Sequence, residues 1–155
     1  MHHLKTSDIK DMNGFYLFDK EAGVSNTDSI VVKFDGRNHR NLNDLFSGIA
    51  LQFRFPDYFN YNFDSLEEML NDLNWLEDNN FSIIIINYKL LLADEAPERK
   101  EIFLQILNDV AAQWEHVPNF EGESNYRHKS DFRIYVENTP AIVNDLNKLG
   151  IAYYY

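Results

Sequence analysis

Residues 55–88 carry seven acids, Asp57, Asp64, Glu67, Glu68, Asp72, Glu77 and Asp78, and no Lys, Arg or His. Asp64, Glu68 and Asp72 recur every four residues. On a helix that spacing sets three carboxylates along one stripe, with Glu67 beside them. Two kinds of chemistry are open to such a set. Paired carboxylates can work as general acid and base on a bound substrate. A stripe of them can instead attract a basic partner and steer its approach. Like charges four apart cost a few tenths of a kcal/mol per pair, a cost that one Lys would remove. A plain solvated face is the third reading, since acids in a first helical turn also favour the macrodipole.

The residues just upstream bear on that choice. Phe55, Tyr58, Phe59, Tyr61 and Phe63 crowd into nine positions together with Asn60 and Asn62. Some of these rings must be core. Tyrosines beside carboxylates suit a protein interface, because Tyr offers large contact area at low entropy cost. No nucleophile motif, phosphate loop or substrate-groove signature accompanies the acids, so an enzyme is not expected. The five histidines, His2, His3, His39, His116 and His128, show no ligand spacing on one element, and the chain has no cysteine. His116 and His128 flank a loop with Glu121 and Glu123, where a solvated loop is expected rather than a divalent ion. Neither a metal nor a cofactor is expected.

Composition narrows the partner. Fourteen Lys and Arg face 25 Asp and Glu in 155 residues, a formal net charge of −11. A surface that acidic repels phosphate backbones, so direct nucleic-acid binding is not expected. No apolar run approaches the roughly 20 residues of a membrane helix, and the first residues lack the apolar core of a signal peptide. Without cysteines, disulfides are excluded. The expectation is a soluble cytoplasmic protein with no membrane partner. Its length fits one domain, and no repeat or Pro/Gly linker divides it.

The elements that would position the acidic stripe follow from periodicity and breakers. Residues 41–53 show helical spacing through Leu42, Leu45, Ile49 and Phe53, with Asn41 or Asn43 available as cap. Pro56 ends that pattern, and residues 55–63 read as an aromatic loop. Residues 64–76 form the clearest helix, with Leu66, Met69, Leu70 and Leu73 inward and capping-box spacing between Asp64 and Glu67. Residues 81–88 hold four consecutive isoleucines, which fits a strand buried on both faces. Residues 89–98 connect to a second strong helix over 99–114, and residues 115–131 form a polar loop. A strand over 132–137, a helix over 140–149 stopped by Gly150, and a terminal strand over 151–155 follow. Short strands are also expected over 14–19 and 30–34. Strands alternating with helices indicate an α/β fold with a mainly parallel sheet.

The stretch Leu51-Gln-Phe-Arg-Phe-Pro56-Asp-Tyr58-Phe-Asn60-Tyr-Asn62-Phe-Asp64-Ser-Leu66-Glu-Glu68-Met-Leu70-Asn-Asp-Leu73-Asn-Trp75 resembles the barstar family of intracellular ribonuclease inhibitors. The family pattern is Pro-x-Tyr-aromatic-Gly-x-Asn-aromatic-Asp-Ala-Leu-x-Asp-x-Leu. The resemblance spans about residues 28–137 and leaves 1–27 and 138–155 as extensions. It implies three core strands of parallel sheet with packed helices, plus extra N- and C-terminal edge elements. It implies an immunity or antitoxin protein that blocks a basic bacterial ribonuclease toxin with the aromatic loop and the acidic helix, bound as a monomer. Tyr58 would be a contact aromatic, and Asn62 would hold the loop or touch the partner. Asp64 and Glu68 would be the main carboxylates, with Asn60, Glu67 and Asp72 beside them and Glu101 at the start of the next long helix. Asn60 stands at the family's Gly, where a left-handed backbone is expected of it. Glu68 stands at the family's second Asp, and Glu67 at a position that is aromatic in the family's type member. These departures point to another partner than the well-known ribonuclease, such as an interbacterial or polymorphic toxin. The alternative is a binding module of the same fold for a non-ribonuclease toxin or a regulatory protein.

Overall fold

The computed structural model describes residues 12–20, 30–76, 80–115 and 130–155. Among them, five strands make one parallel sheet: β1 (Gly14–Phe18), β2 (Ile30–Asp35), β3 (Asn80–Ile86), β4 (Asp131–Glu137) and β5 (Tyr153–Tyr154). Their spatial order is β2-β3-β4-β1-β5. Four helices connect or flank them: α1 (Leu42–Gln52), α2 (Phe63–Asp72), α3 (Pro97–Glu115) and α4 (Pro140–Leu149). The expected polar loop over 115–131, with His116, His128 and the basic cluster from Arg127 to Lys129, lies almost wholly outside the described residues.

Side-chain alternation along parallel strands sorts the sheet into two faces. Val32, Ile83, Ile134, Phe15 and Tyr153 stand in register across all five strands and are all buried. The buried residues of all four helices join the same cluster, so the helices pack on this face. The opposite face carries Lys33, Ile84, Tyr135, Tyr16 and Tyr154 in the next register row. There Tyr16 stacks obliquely between Tyr135 and Tyr154, with ring centroids 5.5 and 5.2 Å away. Strand β3 is buried on both faces from Phe81 to Ile85, as its isoleucine run predicts.

The parallel α/β class is as expected, but β1 is not an edge element. It lies between β4 and β5, and only the two-residue β5 caps that side of the sheet. Asn13 explains how β1 is held inside. Its amide donates to Ala111 O (3.1 Å) and Ser130 O (2.9 Å), and its Oδ1 accepts from the Phe132 N–H (2.9 Å). One buried side chain thus bonds main-chain groups in the last turns of α3 and at the start of β4.

At the far end of the sheet, Asp35 ties two turns together. Its carboxylate accepts from Arg37 and from Asn87 Nδ2. The hydrogen bonds from Arg37 chiefly, then that from Asn87, hold this carboxyl well below the usual carboxylate range. Gly36 sits in the same turn because a Cβ there would lie 2.0 Å from Asn87 O.

Two outcomes follow. Asn13→Ala removes three buried hydrogen bonds to main-chain groups and should cost about 1–3 kcal/mol, read by urea unfolding; a loss near zero would contradict this role of Asn13. A depressed folded-state pKa contributes stability that is present above the unfolded value of 3.8 and is lost as pH falls below it. Acid titration of the unfolding midpoint should therefore show a drop below that pH that is shallower in Asp35→Asn.

Candidate protein-binding site

The aromatic loop is built on the core rather than laid over it. Phe53 and Phe59 are buried, and Phe55 and Phe63 are half-buried. Their rings run in contact: Phe53 with Phe55 (6.1 Å), Phe55 with Phe59 (4.9 Å) and Phe59 with Tyr61 (4.8 Å). Phe46 of α1 meets Phe59 and Phe63 edge-on. Trp75 closes the far side, edge-on to Phe55, and its Nε1–H donates to Phe53 O at 2.9 Å. Such edge-to-face pairs add to the burial of each ring. The loop's phenylalanines turn inward, whereas Tyr58 and Tyr61 remain 59% and 53% exposed.

The backbone of this region is held in unusual shapes. Arg54, Tyr61 and Leu73 all have positive φ, at 54°, 53° and 49°. For side chains with a Cβ that conformation costs about 1–2 kcal/mol each. The expected left-handed residue is Asn60, but Tyr61 adopts that shape. Asn60 instead donates its N–H to Ser65 Oγ at 3.0 Å, which fixes its peptide before the turn. Of Arg54, Tyr61 and Leu73, only Tyr61 lies within the loop itself; Arg54 precedes it, Leu73 ends α2, and Asn87 and Leu92 share the shape elsewhere.

Asn62 starts the helix. It is extended, and its Oδ1 accepts the Ser65 N–H at 2.7 Å. This corrects the expected capping box, because α2 runs Phe63–Asp72 and Asp64 lies in its first turn rather than at its cap. Asp64 therefore faces the positive end of the helix dipole. The helix also stops four residues short of the predicted end. Leu73 turns left-handed there, so that Leu73 and Leu76 are buried and Trp75 reaches Phe53. From α3, Trp114 Nε1–H donates to Leu70 O at 2.8 Å and pins the last turn of α2.

Asp64, Glu68 and Asp72 are all exposed, and their spacing places them on one stripe of α2. Glu67 beside them is half-buried, and Asp57 is exposed in the loop. Among the described residues none of these five carboxylates has a cation within 4.0 Å. Acids elsewhere do: Asp35 with Arg37, Asp94 with Arg40, Glu101 with Lys148 and Asp131 with Arg133. Other described acids, such as Asp44, Glu98 and Asp109, also lack a cation, but only on the loop and α2 do several stand together beside exposed tyrosines, which leaves this face anionic.

The structure thus brings together Tyr58, Asn60, Asn62, Asp64, Glu67, Glu68 and Asp72 on one loop and the helix it starts. No hydrogen bond or ion pair joins Glu101 to them. Glu101 lies early in α3 and pairs at 3.2 Å with Lys148 of α4. Two exposed residues were missing from the candidates. Tyr61 belongs to the loop surface, and Leu51, in the last turn of α1, is 79% exposed. The hydroxyl was the available signal for Tyr61, since the loop's tyrosines face out and its phenylalanines face in. No group of three or more His, Asp or Glu among the described residues could hold a metal ion.

Residues 30–142, well over half of the chain, match the family model described as Barstar (barnase inhibitor). The chain belongs to the barstar family. The match begins at β2 and ends early in α4, so the barstar part includes the aromatic loop and α2, while β1 and β5 lie outside it. No curated protein matches the chain. The family is one of inhibitors, with a ribonuclease-binding role. Among the described residues no helix is long and apolar enough to cross a membrane.

Cap and stripe should separate on mutation. Asn62→Ala removes the N-cap and should cost about 1 kcal/mol. Asp64→Ala and Glu68→Ala, at exposed positions without partners, should each change stability by about 0.5 kcal/mol or less. Denaturant unfolding of the three variants checks both. Unfolding of the Asp64 variant comparable to that of Asn62→Ala would make Asp64 a structural residue.

Proposed function

We propose that this chain is an immunity or antitoxin protein that binds a basic bacterial ribonuclease toxin and covers its active site with the aromatic loop and α2. The observation that carries the reading is the stripe of Asp64, Glu68 and Asp72, exposed and without cations of its own, set beside two outward tyrosines on a loop anchored in the core. Family membership supplies the class of partner.

The mechanism is electrostatic mimicry. A ribonuclease holds RNA phosphates with Arg, Lys and His. Asp64 and Glu68 would take the place of those phosphates and accept charge-assisted hydrogen bonds from the same cations. Asp72 and Asp57 widen the anionic field and raise the rate of encounter. Tyr58 and Tyr61 supply contact area around the charged centre and exclude water from it, which strengthens each ion pair. The loop is ordered before contact, so little conformational entropy is lost on binding. The complex would form in the cytoplasm, with one copy of this chain on each toxin.

The test is affinity capture from native lysate with the wild-type chain beside Asp64→Lys/Glu68→Lys. The captured protein is then freed and assayed for RNA cleavage with and without added inhibitor. The reading predicts a basic ribonuclease held by wild type alone and silenced when wild type is restored. Equal capture by both baits would move the interface off α2. A partner without nuclease activity would leave a binding module for another toxin or a regulatory protein. Raising salt should slow association more than it speeds dissociation, as stopped-flow mixing would show.

A further inference from the structure

Among the described residues strand β2 forms one edge of the sheet, and its sequence Ile-Val-Val-Lys-Phe-Asp is rich in β-branched residues. An open edge of that kind is a template for another strand. In a parallel ladder alternate residues turn their main-chain groups outward, here Val31, Lys33 and Asp35. The outward groups of Lys33, the central one, are already engaged. The Lys33 N–H donates to Gln52 Oε1 at 3.0 Å, and Gln52 Nε2 donates to Lys33 O at 3.0 Å. A primary amide has a donor and an acceptor in one plane, as a peptide does. Gln52 therefore makes with Lys33 the pair of hydrogen bonds that a neighbouring strand would make. At the next outward residue, Asp35 O accepts from His39 Nδ1 at 2.9 Å. Gln52 is the last residue of α1, so the helix delivers the amide to the edge.

We propose that Gln52 is an edge guard: its side chain occupies the β2 edge in place of a strand and keeps a second copy of this chain from pairing there. Symmetry selects a second copy as the occupant. A two-fold axis beside Phe34 would set β2 antiparallel to β2 of another copy, so that the outward N–H and C=O groups of each edge meet those of the other and the edge is complementary to itself. Val31, 45% exposed, adds apolar surface on the same edge. The guard acts on β2 and not on α2, so it stands or falls separately from the ribonuclease reading.

The experiment is sedimentation velocity of the full chain over a concentration series, with circular dichroism confirming that each variant folds. Wild type should stay monomeric. Gln52→Ala should self-associate, with a midpoint at least about tenfold lower in concentration than any wild-type association, equivalent to about 1.4 kcal/mol. Gln52→Glu keeps the acceptor for the Lys33 N–H but loses the donor, and should fall between them. Adding Lys33→Pro to Gln52→Ala removes the outward N–H without touching the ladder to β3, and should restore the monomer. A folded Gln52→Ala that stays monomeric over the whole series, or association that Lys33→Pro leaves unchanged, would overturn the proposal. Hydrogen exchange on wild type needs no variant. A Lys33 amide exchanging as fast as an unstructured one would overturn the proposal as well.

Discussion

The proposed recognition surface depends on one constraint: the loop that carries it cannot leave the core. Phe53 and Phe59 are buried in the same cluster as the sheet and helices, and Phe55 and Trp75 pack against that cluster. Moving the loop would expose these rings, at roughly 1.5–3 kcal/mol for each one fully uncovered. The outward tyrosines and the start of α2 therefore hold their places in the free protein. The positive φ angles at Arg54, Tyr61 and Leu73 persist on the same ground, since ring burial outweighs their backbone cost.

Charge adds direction to that rigid surface. In the sheet, Asp35 is satisfied locally by Arg37 and Asn87. The acids of α2 are left to solvent with no compensating cation nearby among the described residues. Mutual repulsion along the stripe is small at this spacing and exposure. A partner's cations would relieve it and gain the fields of several carboxylates at once. The scaffold tolerates this arrangement because α2 is secured elsewhere, by Asn62 at its start and by Trp114 at its last turn.

Much of this was legible in the residues. Asn41 caps α1, the isoleucine run is buried on both faces, and Gly150 ends α4 in a left-handed shape, each a local rule operating as expected. The failures have two physical causes: one local signal outcompeted another, or distant contacts overrode the local ones. Asp64 and Glu67 have capping spacing, yet Asn62 starts the helix because Ser65 N–H and Ser65 Oγ both bond back toward the loop. The helix ends early because Trp75 has a partner 22 residues away. Strand β1 lies inside the sheet because Asn13 bonds to groups about a hundred residues downstream, which no window of sequence displays. Glu101 came from the resemblance, and its pairing with Lys148, which depends on how α4 packs, was not legible in the sequence.

The most direct measurement is hydrogen–deuterium exchange on the chain, free and bound to the captured partner. The account predicts slowed exchange in residues 57–68, with β2 and α4 unchanged. Protection centred on α4 near Lys148, with residues 57–68 exchanging as in the free chain, would contradict it.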